Sequence, residues 1–224
     1  MIARLRRLRD DEDGMSITEL VVTMFVTGIL LAIVASMFLN VARVTANSNA
    51  SNQRTSVAAN VMEGITKVIR TAANNEIAGG NSDPAIVAAT ANALTIYSYV
   101  DTSAVSPAPT KVSYRVDASG NVIEDRVAGS KSGGYWAFTA AATSRTLGGP
   151  VQTLGGTDAL FVYLDGKSKV ITPADAGLTL SERISIASVR VNVRILNALS
   201  TGADPIVVQN TIGMPNLRLS RTDD

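Results

Sequence analysis

An α+β fold, with one long N-terminal helix packed on an antiparallel β-sheet domain, is what this 224-residue sequence predicts. Three observations lead there: an uncharged apolar run over residues 20–42, apolar residues at helical spacing from Val57 to Ala72, and short strand-like segments separated by turns after Pro84. Strands that follow one long helix, instead of alternating with helices, assemble as an antiparallel sheet with the helix laid across it.

The chain opens on a short charged segment, with Arg4, Arg6, Arg7 and Arg9 followed at once by Asp10, Asp11, Glu12 and Asp13. From Leu20 to Ala42 no charge appears, and Leu, Val, Ile, Met and Phe dominate. At 1.5 Å rise per residue this run covers roughly 34 Å, enough for the hydrocarbon core of a bilayer. The arginines ahead of it predict a cytoplasmic N-terminus, since acids count for little in that rule, and place the bulk of the chain outside the cytoplasm. One residue interrupts the apolar character: Glu19 stands immediately before the uncharged run. A lone carboxylate costs about 2.5–3.5 kcal/mol at mid-membrane and less near the headgroups. The simplest role for Glu19 is therefore an interfacial group marking the end of a transmembrane helix.

After Arg43, the residues Val57, Val61, Ile65, Val68 and Ala72 recur at helical spacing, with Gln53, Arg54, Asn60, Glu63, Lys67 and Arg70 on the other faces. This predicts an amphipathic continuation whose stripe packs on the β domain. Thr45 to Asn52 is rich in Asn and Ser, weak helix formers, and predicts a local irregularity. Asn74-Asn75 and Gly79 to Pro84 stop the helix. Strands are expected over 93–100, 111–116, 122–127, 135–139, 159–164, 184–196 and 206–212. Asp117-Ala-Ser-Gly120-Asn marks one hairpin and Asp165-Gly166-Lys-Ser another reversal. Between Ser188 and Ile195 the apolar Val189, Val191, Val193 and Ile195 alternate with Arg190, Asn192 and Arg194, which predicts one buried and one wet face.

Composition excludes several classes of function. Hydrophobic residues make up 46% of the chain and charged residues 17%, with a formal net charge of +1, so there is no basic field for nucleic acid. With no Cys and no His, thiol nucleophiles, imidazole bases and most zinc sites are absent, and no enzymatic activity or cofactor is expected. Gly166-Lys167-Ser168 has the ending of a phosphate-binding loop, but that loop needs Gly where Phe161 stands. Gly129-Ser-Lys-Ser-Gly-Gly134 lacks nucleophile-elbow spacing. Asp101, Asp117, Asp125, Asp158, Asp165 and Asp175 form no compact calcium-type loop, so no metal site is expected. Tyr135, Trp136 and Phe138, beside Gly133-Gly134, are expected in the core in preference to an exposed contact surface, because aromatic residues in a strand more often pack inward.

The stretch Gly14-Met-Ser-Ile-Thr-Glu19-Leu-Val-Val, continuing to Gly28-Ile-Leu-Leu-Ala-Ile-Val, resembles the processing signal of type IV prepilins and type II secretion pseudopilins. In that family a leader ends in Gly, the mature helix carries Glu at its fifth position, and a prepilin peptidase cuts after the Gly and N-methylates the new terminus. The resemblance implies a leader over 1–14 with cleavage after Gly14, a methylated Met15, and Glu19 as the assembly carboxylate. It further implies a transmembrane and assembly helix over 15–42, its amphipathic continuation over 43–74, and a globular β-rich domain over 75–224. The implied partners are the prepilin peptidase, the membrane through residues 20–42, and other pilin subunits in a hetero-oligomeric filament. Met15 replaces the usual Phe, acids precede Gly14 where basic residues are commoner, and no Pro interrupts the helix. The segments Tyr97-Ser-Tyr-Val, Val112-Ser-Tyr-Arg-Val-Asp and Phe161-Val-Tyr-Leu-Asp are also similar to the larger minor pilins, the J-type pseudopilin and its W-type pilus relatives. Two alternatives stand beside this: a secretory signal cut near Val44-Thr-Ala46, and a single-pass anchored extracytoplasmic binding module that does not polymerise.

Overall fold

The computed structural model describes residues 16–77, 82–100, 107–196 and 205–219. The chain divides after Ala50 into two units. Helix α1, Ile17–Arg70, contributes to both, and its 54 residues run without a break. The irregularity expected over Thr45 to Asn52 does not occur. That stretch contains neither Gly nor Pro, and each Asn or Ser costs less than about 0.7 kcal/mol inside a helix already nucleated on both sides.

In the second unit α1 buries Ala58, Val61, Met62, Ile65, Val68 and Ile69, with Val57 partly covered and Ala72 buried just beyond its end. The predicted stripe is therefore the packed one. Beyond it come β1 (Asn75–Glu76), β2 (Ser82–Asp83), β3 (Ile86–Ala89), β4 (Leu94–Ser98), β5 (Thr110–Val116) and β6 (Val122–Ala128). The small strands β7 (Ser130–Ser132) and β8 (Tyr135–Ala137) precede β9 (Thr143–Gly148). After a single 3₁₀ turn at Gly156–Asp158 follow β10 (Phe161–Asp165), β11 (Val170–Ile171), helix α2 (Leu180–Ser185), β12 (Ile186–Ile195), β13 (Ile206–Gly213) and helix α3 (Pro215–Leu219).

Two antiparallel sheets result, a five-stranded one in the order β3-β4-β5-β6-β9 and a four-stranded one in the order β11-β10-β12-β13, with ribbons β1-β2 and β7-β8 beside them. The architecture is thus the predicted α+β, a long N-terminal apolar helix on antiparallel sheets. One core joins the three layers: Ile65 and Ile69 of α1, Ile96 and Tyr114 of the first sheet, Phe161, Tyr163 and Val191 of the second. The Tyr114 and Phe161 rings lie 6.4 Å apart, and Tyr163 donates its hydroxyl to the Thr90 carbonyl at 2.7 Å. Both expected reversals are present. Asp117 Oδ1 accepts from the Ser119 and Asn121 amides, and Asp165 Oδ1 accepts from the Lys167 and Lys169 amides.

One position of β12 departs from the predicted alternation. Asn192 is buried, because the segment Thr157 to Ala159 folds over it: its Nδ2 donates to the carbonyls of both residues and its Oδ1 accepts from Gln209. The polar group satisfies every bond its burial demands.

A polar clamp fixes α1 against the first sheet. Glu124 on β6 is fully buried; Arg145 of β9 meets its two oxygens at 2.8 and 3.0 Å, and Arg126 Nε bonds one of them. The Tyr114 hydroxyl sits 3.2 Å from Glu124 and 3.2 Å from the Gly64 carbonyl on α1. Burial pushes the Glu124 carboxyl up, but the bonds from Arg145 and Arg126 outweigh it and hold the group below its ordinary value. A depressed folded value means stability present above the unfolded value, near pH 4.3, and lost as pH falls through the folded one. Glu124→Gln is therefore expected to lower stability at pH 7 by about 1 kcal/mol, since both guanidiniums reach solvent. The gap to wild type should narrow as pH falls below the unfolded value in urea titrations.

Candidate functional site

The first half of α1 is a helix for local reasons. Gly28 is its lone glycine before residue 50, there is no proline, and the Glu19 and Leu20 amides bond the Ser16 carbonyl at 2.9 and 3.0 Å to close the first turn. The carboxylate of Glu19 in that turn faces the positive end of the helix dipole. Two of the three hydroxyls in the apolar run turn inward to the backbone: Thr23 donates to the Glu19 and Leu20 carbonyls, and Ser36 to Ile33 at 2.8 Å. Such back-bonding lets a polar side chain lie in hydrocarbon without an unmet donor.

From Ile17 to Val44 the large apolar side chains are exposed on every face of the helix, Phe25 at 69%, Leu31 at 64% and Phe38 at 74%. A helix apolar all round needs an apolar surrounding, which here is not supplied by the described residues. Its length and composition suit a membrane crossing, and it is the one candidate membrane-spanning helix among the described residues. Glu19 is exposed at the start of that surface and has no ion-pair partner among the described residues. Gly14 and Met15 lie outside the described residues. Val44-Thr-Ala46 lies within the uninterrupted helix.

The other candidates resolve into structural parts. Gly166-Lys167-Ser168 is the turn between β10 and β11, with Ser168 in the left-handed region at φ 62°. Asp125 pairs with Arg115 at 2.9 Å and accepts from Ser144. Asp101 lies outside the described residues, and among the described residues no acidic group clusters with others as a metal site. The expectation of a core position for Tyr135, Trp136 and Phe138 is corrected: Tyr135 is exposed and the other two are half-buried. Tyr135 and Trp136 belong to the two-stranded ribbon, too narrow to bury a face, and Phe138 lies just past its end. Phe138 stacks on Tyr97 at 4.7 Å and Lys131 lies 5.2 Å over the Trp136 ring. No protein-family model matches the sequence, and no curated protein matches it significantly.

Proposed function

We propose that this chain is a structural, non-enzymatic subunit of a type IV pilus or type II secretion-like filament, in the manner of a minor pilin or pseudopilin. A prepilin peptidase cuts it after Gly14 and methylates Met15, and it assembles with other pilin subunits through α1. The observation that carries this reading is the surface of α1. One helix presents apolar side chains on all faces between Glu19 and Arg43, the two charged residues of the stretch from 17 to 44, and the same helix enters the core of the β domain. In the membrane, lipid covers that surface; in a filament, the helices of neighbouring subunits replace lipid. The β domain, carried rigidly on the second half of α1, then faces neighbours or the exterior.

In this scheme the leader arginines stay in the cytoplasm and residues after about Arg43 lie outside it. The test is fractionation of cells expressing the full chain with partner pilins, with and without the prepilin peptidase. With the peptidase, the chain is expected both in membranes and in the sheared filament fraction; without it, in membranes alone. Recovery as a soluble cytoplasmic protein removes the membrane reading. A membrane pool that never enters sheared material leaves the single-pass binding module instead.

A further inference from the structure

The edges of the two sheets are not treated alike. The edge strand β3 has its Ile86 and Val87 carbonyls capped by the guanidinium of Arg183, at 2.8 Å for the first. At the edge β11 only Val170 and Ile171 pair, and Pro173 follows. Along β9 the edge is blunted by Arg145, turned in toward Glu124, and by α1: a side chain at Gly148 would come within 2.7 Å of Val57 Cγ1. These are the devices that keep an unpaired strand from pairing with another chain.

Within its run β13 carries none of them, and prolines stand only outside its ends, at Pro205 and Pro215. Its sequence, Ile206-Val-Val-Gln-Asn-Thr-Ile-Gly213, contains no charge and no proline, and most of its residues are β-branched. It is paired with β12 along its whole length and with no strand on its other side among the described residues. Beside that edge runs an open groove of about 710 Å³, walled by Val208 and Asn210 of β13 and by Met62, Thr66, Lys67 and Arg70 of α1. The Thr66 hydroxyl is buried there without a hydrogen-bond partner among the described residues. Lys67 and Arg70 outnumber the one acid of the groove, Glu63.

We propose that β13 and this groove form a docking site for an extended segment of a different polypeptide, which adds to the second sheet as a further strand. Main-chain hydrogen bonds along β13 supply affinity, and alternate side chains lie under α1. On that face the segment carries apolar residues beside Met62 and Val208, and an acidic residue opposite Lys67 and Arg70. The proposal does not depend on the filament reading, since an anchored binding module would expose the same edge.

The test uses the full chain in detergent micelles and the acetylated, amidated peptide Thr-Val-Thr-Glu-Thr-Val-Thr, whose Val and Glu side chains share one face. Amide hydrogen exchange over Ile206–Gly213 is the readout. Addition of a strand slows exchange there, and the peptide with Lys in place of Glu binds roughly threefold to tenfold more weakly, as expected for two solvent-exposed charge pairs. The double variant Lys67→Glu with Arg70→Glu is expected to reverse that preference while leaving the exchange of β12 as in wild type. The proposal is overturned if neither peptide slows exchange over Ile206–Gly213, or if the charge reversal leaves the preference unchanged. It is overturned as well if protection of β13 grows with protein concentration in the absence of peptide, which would seat a second copy of the chain in the groove.

Discussion

Glu19→Ala is expected to insert into the membrane and to be cut after Gly14 like wild type, yet to enter filaments at least about tenfold less, a difference of roughly 1.4 kcal/mol. The size follows from where the carboxylate goes. In lipid, Glu19 sits at the start of the apolar surface, within reach of headgroups, and its removal costs nothing or improves insertion. In the proposed filament it enters a bundle of apolar helices, where the methylated amine of Met15 on an adjacent subunit is the opposite charge that offsets its desolvation. Losing one partner of a buried pair typically costs about 3–5 kcal/mol, so tenfold is a lower bound. Glu19→Asp, which keeps the charge and loses reach, should fall between. The comparison is of sheared filaments against the membrane pool, and equal incorporation of Glu19→Ala and wild type would reduce Glu19 to an interfacial residue.

The largest expected effect on stability is that of Phe161→Ala. Phe161 is fully buried where β10 meets the first sheet, its ring beside Tyr114 and its amide bonded to the Ala91 carbonyl. Truncation leaves a cavity between two sheets that are each held by their own ladders and cannot close on it, which puts the loss at about 3–5 kcal/mol. Without cysteines no disulfide shares the load, and a typical domain has only about 5–15 kcal/mol in total. Urea unfolding followed by fluorescence of Trp136, the single tryptophan, should show the midpoint lowered by about 1–3 M. Membrane insertion of the variant should be unchanged, since α1 from residue 17 to 50 lies in the other unit.

Long periodic segments were legible from sequence because burial writes itself into them. The stripe from Val57 to Ala72 and the valines of β12 occupy the faces their spacing predicts. What sequence hides is structure imposed by neighbours. β3, Ile-Val-Ala-Ala, is too small and short to alternate, and is held by pairing with β4 and by Arg183. β9, Thr-Ser-Arg-Thr-Leu-Gly, is polar because it is an edge, and only its register on β6 makes it a strand. Helix α2 carried a readable sign. Thr179-Leu-Ser-Glu182 is a capping box, formed here in both directions, yet Ile184 beyond it extends the apolar run of β12 and masks the boundary. Of the processing and assembly residues, Glu19 alone falls in the described part of the chain, and its meaning rests on Gly14 and Met15 in the sequence.

The measurement that bears most directly on the filament assignment is therefore the mass of the N-terminal peptide of protein purified from cells that possess a prepilin peptidase. The account predicts a chain that starts at Met15 and carries one added methyl group on its amine. A terminus at Asn47, or a chain that retains residues 1–14 in the membrane of such cells, would contradict it.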